Sequence, residues 1–158
     1  MGKELKTNAM RFLDKSRIDY TVQTYECDEF IDGIHTAEAL GQPVGETFKT
    51  LVARGKTGSY YCFLLPVAME LDLKKAAKSV CEKSVELLHV KEITAVTGYV
   101  RGGCTPIGMK KQFMTVVHET AENLPLFYIS GGRIGTQIRL SPHELVGAVR
   151  GKFEDIVM

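Results

Sequence analysis

The chain has 158 residues and a mass of 17.5 kDa, enough for one core that buries roughly 70% of the unfolded surface and too little for a multidomain machine. With 44% hydrophobic and 25% charged residues, 15 Gly and 5 Pro, it is not a disordered tail, a collagen or a coiled coil. Its net charge of +1, from 20 Lys and Arg against 19 Asp and Glu, provides no global field toward DNA or an anionic membrane, so any nucleic-acid contact has to be local.

Residues 7–17 place Met10, Phe12 and Leu13 on one side and Arg11, Asp14 and Lys15 on the other, which predicts a helix, and the alternation of Tyr20–Tyr25 predicts a strand after it. Thr36–Leu40, stopped by Gly41 and Pro43, predicts a short helix. Thr47–Arg54 and Ser59–Leu65 are strand-like runs joined by Gly55-Lys56-Thr57-Gly58, a hairpin signature. The second run is apolar on both faces, which predicts a central strand covered by helices on at least one side. Asp72–Val80 predicts a helix with Lys74, Lys75 and Lys78 on one basic face, Val85–Val90 a short strand, and Lys91–Thr97 a helix ended by Gly98. Gln112–His118, Leu126–Ser130 and Thr136–Leu140 predict three more strands. Ser141-Pro142-His143-Glu144 combines a serine cap, proline at the first helical position and the glutamate of a capping box, and so starts the last helix. Hairpins without regular β-α-β alternation predict an α+β fold with a mixed sheet, in a single domain over residues 1–158.

The longest uncharged stretch, Thr57–Met69, has 13 residues and contains Pro66, short of the roughly 18 a membrane helix needs. Met1-Gly2-Lys3-Glu4-Leu5-Lys6 lacks the apolar region of a signal peptide, so the cytosol is the expected location. There Cys27, Cys62, Cys81 and Cys104 are expected to be reduced thiols. His35, His89, His118 and His143 are scattered with no metal-ligand spacing, and neither metal nor cofactor is expected.

Two glycine-rich segments nearly match phosphate-binding motifs. Gly103-Cys104-Thr105-Pro106-Ile107-Gly108 is followed by Met109-Lys110-Lys111, where a P-loop needs Lys and then Ser or Thr. Ser130-Gly131-Gly132-Arg133-Ile134-Gly135 has serine for the first glycine of a dinucleotide fingerprint and leads into a strand, not a helix. Both offer backbone N–H groups that can approach a phosphate, a carboxylate or a developing oxyanion; both can equally be plain tight turns. Lys49 shares a strand face with Leu51 and Ala53, so its ammonium either snorkels to an edge or reaches into a cleft and holds a phosphate or a carbonyl oxygen. No nucleophile is paired with a base. Cys104 has no histidine tied to it, His118 follows a strand in what reads as a surface or capping position, and Asp28, Glu29 and Asp32 read as a solvated face.

Tyr25-Glu26, Phe48-Lys49-Thr50-Leu51, Pro66-Val67-Ala68 leading to Leu71-Asp72-Leu73-Lys74-Lys75-Ala76-Ala77-Lys78, Gly98-Tyr99-Val100-Arg101-Gly102-Gly103-Cys104-Thr105-Pro106-Ile107-Gly108 and Ser130-Gly131-Gly132 together resemble the YbaK/EbsC family, in order and over nearly the whole chain. The resemblance implies the fold of the prolyl-tRNA synthetase editing domain, a central and largely antiparallel curved sheet flanked by helices. It implies a free-standing deacylase for Cys-tRNA(Pro), with some activity on Cys-tRNA(Cys). It makes Lys49 the essential residue, sets the loop Gly102–Pro106 beside the aminoacyl pocket, and lines that pocket with Tyr25 and Ser130. Thr50, Gly102, Gly103, Cys104, Thr105, Pro106, Gly108, Gly131, Gly132 and Gln137 complete the expected substrate-binding set, Gln137 standing where some members carry an acidic residue.

The reaction the resemblance implies is intramolecular: the cysteinyl thiol attacks its own ester and leaves as a thiolactone, which would explain the missing nucleophile. Other branches of the family prefer alanyl or other small aminoacyl esters. Two further readings remain: a non-catalytic module that binds tRNA or a prolyl-tRNA synthetase, and a cysteine hydrolase using Cys104. Contact with the acceptor end of tRNA(Pro) or tRNA(Cys) is expected through Lys74, Lys75, Lys78, Lys110 and Lys111, which otherwise form solvated faces; a prolyl-tRNA synthetase is a candidate partner, and DNA and membranes are not.

Overall fold

In the computed structural model, which describes residues 6–25 and 33–158, the Thr7 hydroxyl accepts the Met10 N–H at 3.2 Å and starts α1 (Asn8–Lys15). That helix turns Ala9, Met10 and Leu13 inward. β1 (Tyr20–Thr24), α2 (Gly33–Leu40), β2 (Phe48–Gly55) and β3 (Tyr60–Pro66) follow, then α3 (Leu73–Ser79), β4 (Val85–Leu87), α4 (Val90–Thr97) and β5 (Met114–His118). β6 (Phe127–Arg133), β7 (Thr136–Leu140), α5 (Pro142–Val149) and β8 (Lys152–Glu154) complete the order. The Asp72 carboxylate caps α3 by accepting the N–H groups of Lys74 and Lys75, the Ser141 hydroxyl caps α5 by accepting that of Glu144, and Gly98 ends α4 in the left-handed region at φ +87°.

The α+β class is as expected, with its strands divided between two sheets. One is antiparallel, in the order β1-β7-β6; the other is mixed, in the order β4-β2-β3-β5-β8, with β3–β5 and β5–β8 parallel. A parallel bridge between Thr47 and Tyr128 marks where the two meet. β3 is central, and Tyr61 to Pro66 are all buried, which is why that run is apolar on both faces. The strand expected over Val85–Val90 ends at Leu87, because His89 and Val90 already open α4. β8 carries no strand signature of its own and is held by pairing with β5.

Alternation along β2 assigns its side chains to different cores. Phe48 joins Leu64, Phe127, Ile129 and Leu145 under α1 and α5; Leu51 and Ala53 face Phe63, Leu65, Ala76 and Ala77 of α3; Val52 joins Cys62, Tyr99, Cys104 and Phe113. Phe48 and Phe127 meet edge to face, with ring centroids 5.1 Å apart. Cys62, Cys81 and Cys104 are free thiols; Cys27, Asp28, Glu29 and Asp32 lie outside the described residues. Among the described residues no helix is long and apolar enough to cross a membrane. His118 occupies the N-terminal cap position of the 3-10 turn Glu119–Asn123, as one of its two expected roles had it, but is buried, not at the surface, and its Nδ1 accepts the Ile156 N–H at 3.4 Å, tying the C-terminal segment to β5.

Candidate active site

The site exists because β2 is only half covered along its second edge. β3 pairs with Phe48–Arg54, whereas β4 pairs only with Ala53–Gly55. The Leu88 N–H still takes the Val52 carbonyl at 3.0 Å. Thr50 has the same parity as Val52, so it turns its own N–H and C=O toward the open edge. Among the described residues no strand pairs with that edge at Thr50.

A hollow of about 510 Å³ opens there, lined by every side chain from Phe48 to Val52. Successive side chains of a strand point to opposite faces, so the hollow straddles the strand's edge. The antiparallel sheet and the segment after β1 contribute Ser130, Thr136, Gln137 and Tyr25; the loop after α4 contributes Arg101, Gly102 and Cys104; Val67 and Glu70 come from the turn after β3. Leu87, Leu88, Val90 and Ile93 with Ile34, Thr36 and Thr47 form the remaining wall. Lys49 thus meets residues of both glycine-rich segments in one space.

Of the expected site residues, Tyr25, Lys49, Thr50, Gly102, Cys104, Ser130 and Gln137 line the hollow, and Gly103, Thr105, Pro106, Gly108, Gly131 and Gly132 do not. The second group holds the loops together. A Cβ on Gly103 would stand 2.7 Å from the Arg133 Cα, so the loop after α4 lies directly on the β6–β7 turn. Gly108, at φ +71°, sits where a Cβ would fall 2.6 Å from the Asn8 backbone. The Thr7 hydroxyl donates to the Gly131 carbonyl at 2.5 Å. Thr105 is fully buried, and its hydroxyl, like that of Thr50, has no hydrogen-bond partner among the described residues.

Two of the glycine N–H groups are already engaged: Gly103 donates to the Val100 carbonyl at 2.9 Å and Gly132 to the Ser130 hydroxyl at 3.3 Å. Gln137 brings an uncharged amide whose oxygen accepts from the Gln42 amide at 2.6 Å, while Gln42 also accepts from Thr47 and donates to Gln23. Burial pushes the Cys104 thiol up to about 11, with the Thr97 hydroxyl opposing, and raises Cys62 as well. Neither is a thiolate near neutral pH, so Cys104 is a poor nucleophile. His118 does not line the hollow.

The sequence reading missed Glu70, Arg101 and Thr136 as lining residues. Glu70 is two residues before a helix cap and resembles any exposed charge, so only the turn after β3 reveals it. None of Lys74, Lys75, Lys78, Lys110 and Lys111 lines the hollow. All five are exposed, but Lys75 bonds Asp155 at 2.8 Å and the Val157 carbonyl at 2.9 Å, and the Lys110 ammonium reaches the Ala95 carbonyl at 3.4 Å.

Residues 33–148 match the model of the aminoacyl-tRNA editing domain. The chain belongs to that family. Its members edit the ester that joins an amino acid to tRNA. The chain is 41% identical over 152 residues to EbsC of Enterococcus faecalis, a proposed Cys-tRNA(Pro)/Cys-tRNA(Cys) deacylase, across 96% of this chain and 93% of that protein. Among solved structures, the hypothetical protein APE2540 superposes with a TM-score of 0.87 at 22% identity, covering 96% of this chain and 99% of the other. A proposed trans-editing enzyme for prolyl-tRNA synthetase does so with a TM-score of 0.81 at 24% identity, covering 98% and 99%. At those identities the likeness is one of fold.

Proposed function

We propose that this editing domain acts in trans, in the cytosol, as a deacylase of mischarged tRNA, with Cys-tRNA(Pro) as its principal substrate and Cys-tRNA(Cys) as a second. The name of its Enterococcus relative supports the substrate. One observation carries the site: Lys49 and both glycine-rich segments contribute to a single hollow whose described walls hold no nucleophile paired with a base.

Such a hollow suits a substrate that reacts with itself. The cysteinyl sulfur bonds to the ester carbonyl carbon, and the carbon–oxygen bond to the ribose breaks. The thiol proton passes to the departing ribose oxygen, and the thiolactone is then opened by water. The protein's part is to orient the aminoacyl group and to meet the developing oxyanion. Orientation can contribute about 7–11 kcal/mol in well-aligned cases. In this reading the Lys49 ammonium holds the ester carbonyl or the adjoining phosphate, and the N–H groups of Thr50 and Gly102 are the oxyanion donors, since Gly103 and Gly132 are engaged elsewhere. Selectivity follows, because serine offers a weaker nucleophile and alanine none.

The deciding experiment is a deacylation panel of Cys-, Ala-, Ser- and Pro-tRNA(Pro) with the wild type and Lys49→Ala. Release from Cys-tRNA(Pro), lost in a folded Lys49→Ala protein, is expected. Preference for the alanyl ester would move the substrate and disprove the thiol route. Binding without release from any ester would leave a tRNA-binding module, whose expected partner is a prolyl-tRNA synthetase.

A further inference from the structure

Of the three charged residues that line the hollow among the described residues, Lys49, Glu70 and Arg101, the first two carry opposite charges and do not meet. Lys49 rises from β2 and Glu70 from the turn after β3, both line the space, and neither side chain has an ion-pair or hydrogen-bond partner among the described residues. Glu70 is the one carboxylate among the described lining residues. Its backbone is fixed: the Met69 N–H closes the turn on the Pro66 carbonyl at 3.0 Å, the Glu70 carbonyl accepts the Met158 N–H at 3.1 Å, and the next residue, Leu71, bridges Val157. The side chain is exposed where it lines the hollow, while its backbone is held by these bonds. Gln137, which also lines the hollow, is neutral and its oxygen is committed to Gln42.

An aminoacyl ester of tRNA carries one cation, its α-ammonium, and anions on the adjoining phosphates. With Lys49 suited to the anionic or carbonyl side, we propose that the Glu70 carboxylate receives the α-ammonium. This rests on the deacylase reading above and adds a specificity-determining residue to it. Esters of free amino acids are then favoured, and peptidyl- or N-acylated tRNAs, which lack the charge, are disfavoured.

The test compares tRNA(Pro) carrying L-cysteine with tRNA(Pro) carrying 3-sulfanylpropanoate, which keeps the thiol and chain length and lacks only the amine. For the wild type the desamino ester should show a KM about three- to fivefold higher, the scale of a solvent-accessible ion pair. Glu70→Gln should raise the KM of the cysteinyl ester to that same value, leave the desamino ester unchanged and keep kcat within about twofold. The wild-type KM for the cysteinyl ester should also rise as pH passes the amine's pKa, a dependence missing from Glu70→Gln. A variant that alters neither substrate, or both equally, overturns the assignment while the deacylase reading stands. A wild type that hydrolyses neither ester overturns both.

Discussion

Lys49 occupies a strand position whose hydrogen bonds are made by its backbone to β3, so its side chain is free of any structural duty visible in the fold. Lys49→Met should therefore leave the melting temperature within a few degrees of the wild type while lowering kcat/KM by about 100-fold, the usual cost of removing one group that meets developing charge. Cys104 is the opposite case. It lines the same hollow, yet burial holds its thiol up near 11, so it packs and does not attack. Cys104→Ala should retain deacylation within about threefold and cost about 1 kcal/mol of stability, seen in denaturant titration. Alkylation by iodoacetamide at pH 7.5 should spare Cys104 and modify exposed Cys81. An inactive but folded Cys104→Ala protein would revive the cysteine-hydrolase reading.

At the scale of elements, the β2–β3 hairpin is what holds the open edge in place, and a single carboxylate fastens its turn. Glu82 accepts from the Thr57 hydroxyl, from the Tyr61 hydroxyl at 2.6 Å and from the Thr57 N–H at 3.2 Å. The Thr57 hydroxyl first, then Tyr61, hold its pKa below the ordinary 4.5, against the opposing effect of burial. A folded pKa lower than the unfolded one means a contribution that is present above about 4.5 and disappears as pH falls through the folded value. The melting temperature of Glu82→Gln should be lower than the wild type's at pH 7, and the gap should close below pH 4, as followed by circular dichroism. Gly55 packs on this same carboxylate, a Cβ there standing 2.2 Å from its Oε2, so Gly55→Ala should lower the melting temperature in the same way.

Over the whole molecule, the two glycine-rich segments and the N-terminal helix form one stack: Gly103 on Arg133, Gly131 under the Thr7 hydroxyl, and Gly108 on Asn8. At Gly103 and Gly108 backbone meets backbone, so neither contact can yield by a side-chain rotation. Gly108→Ala combines a left-handed φ with a 2.6 Å approach to Asn8 and should cost about 2 kcal/mol or more in urea unfolding, with a raised KM from displacement of the Gly102 wall. With a net charge of +1, the chain has little long-range pull on tRNA. The salt dependence of KM should be shallow, each phosphate contact at the single-stranded acceptor end adding about 0.7 to the slope. If α3 tracks that strand, Lys74→Ala and Lys78→Ala should each flatten the slope by about that amount. Lys75 and Lys110, already bonded within the molecule, should show less.

Local sequence sufficed wherever local physics decides. The helix caps at Asp72 and Ser141, the glycine stop at Gly98, the Gly55–Gly58 hairpin and the buried run of β3 were all legible, because capping, turn chemistry and hydrophobic periodicity act within a few residues. The motif resemblance added the family and the weight placed on Lys49. Tertiary structure alone decided that the strands form two sheets, that Lys152–Glu154 is a strand, and that β4 stops short enough to leave Thr50 on an open edge. Only there do Glu70, Gln137 and Ser130, 60 and more residues apart between the first and the others, come to line one hollow. Pairing between distant segments is set by which surfaces are left to bury after each element has formed, and no window of neighbouring residues contains that information.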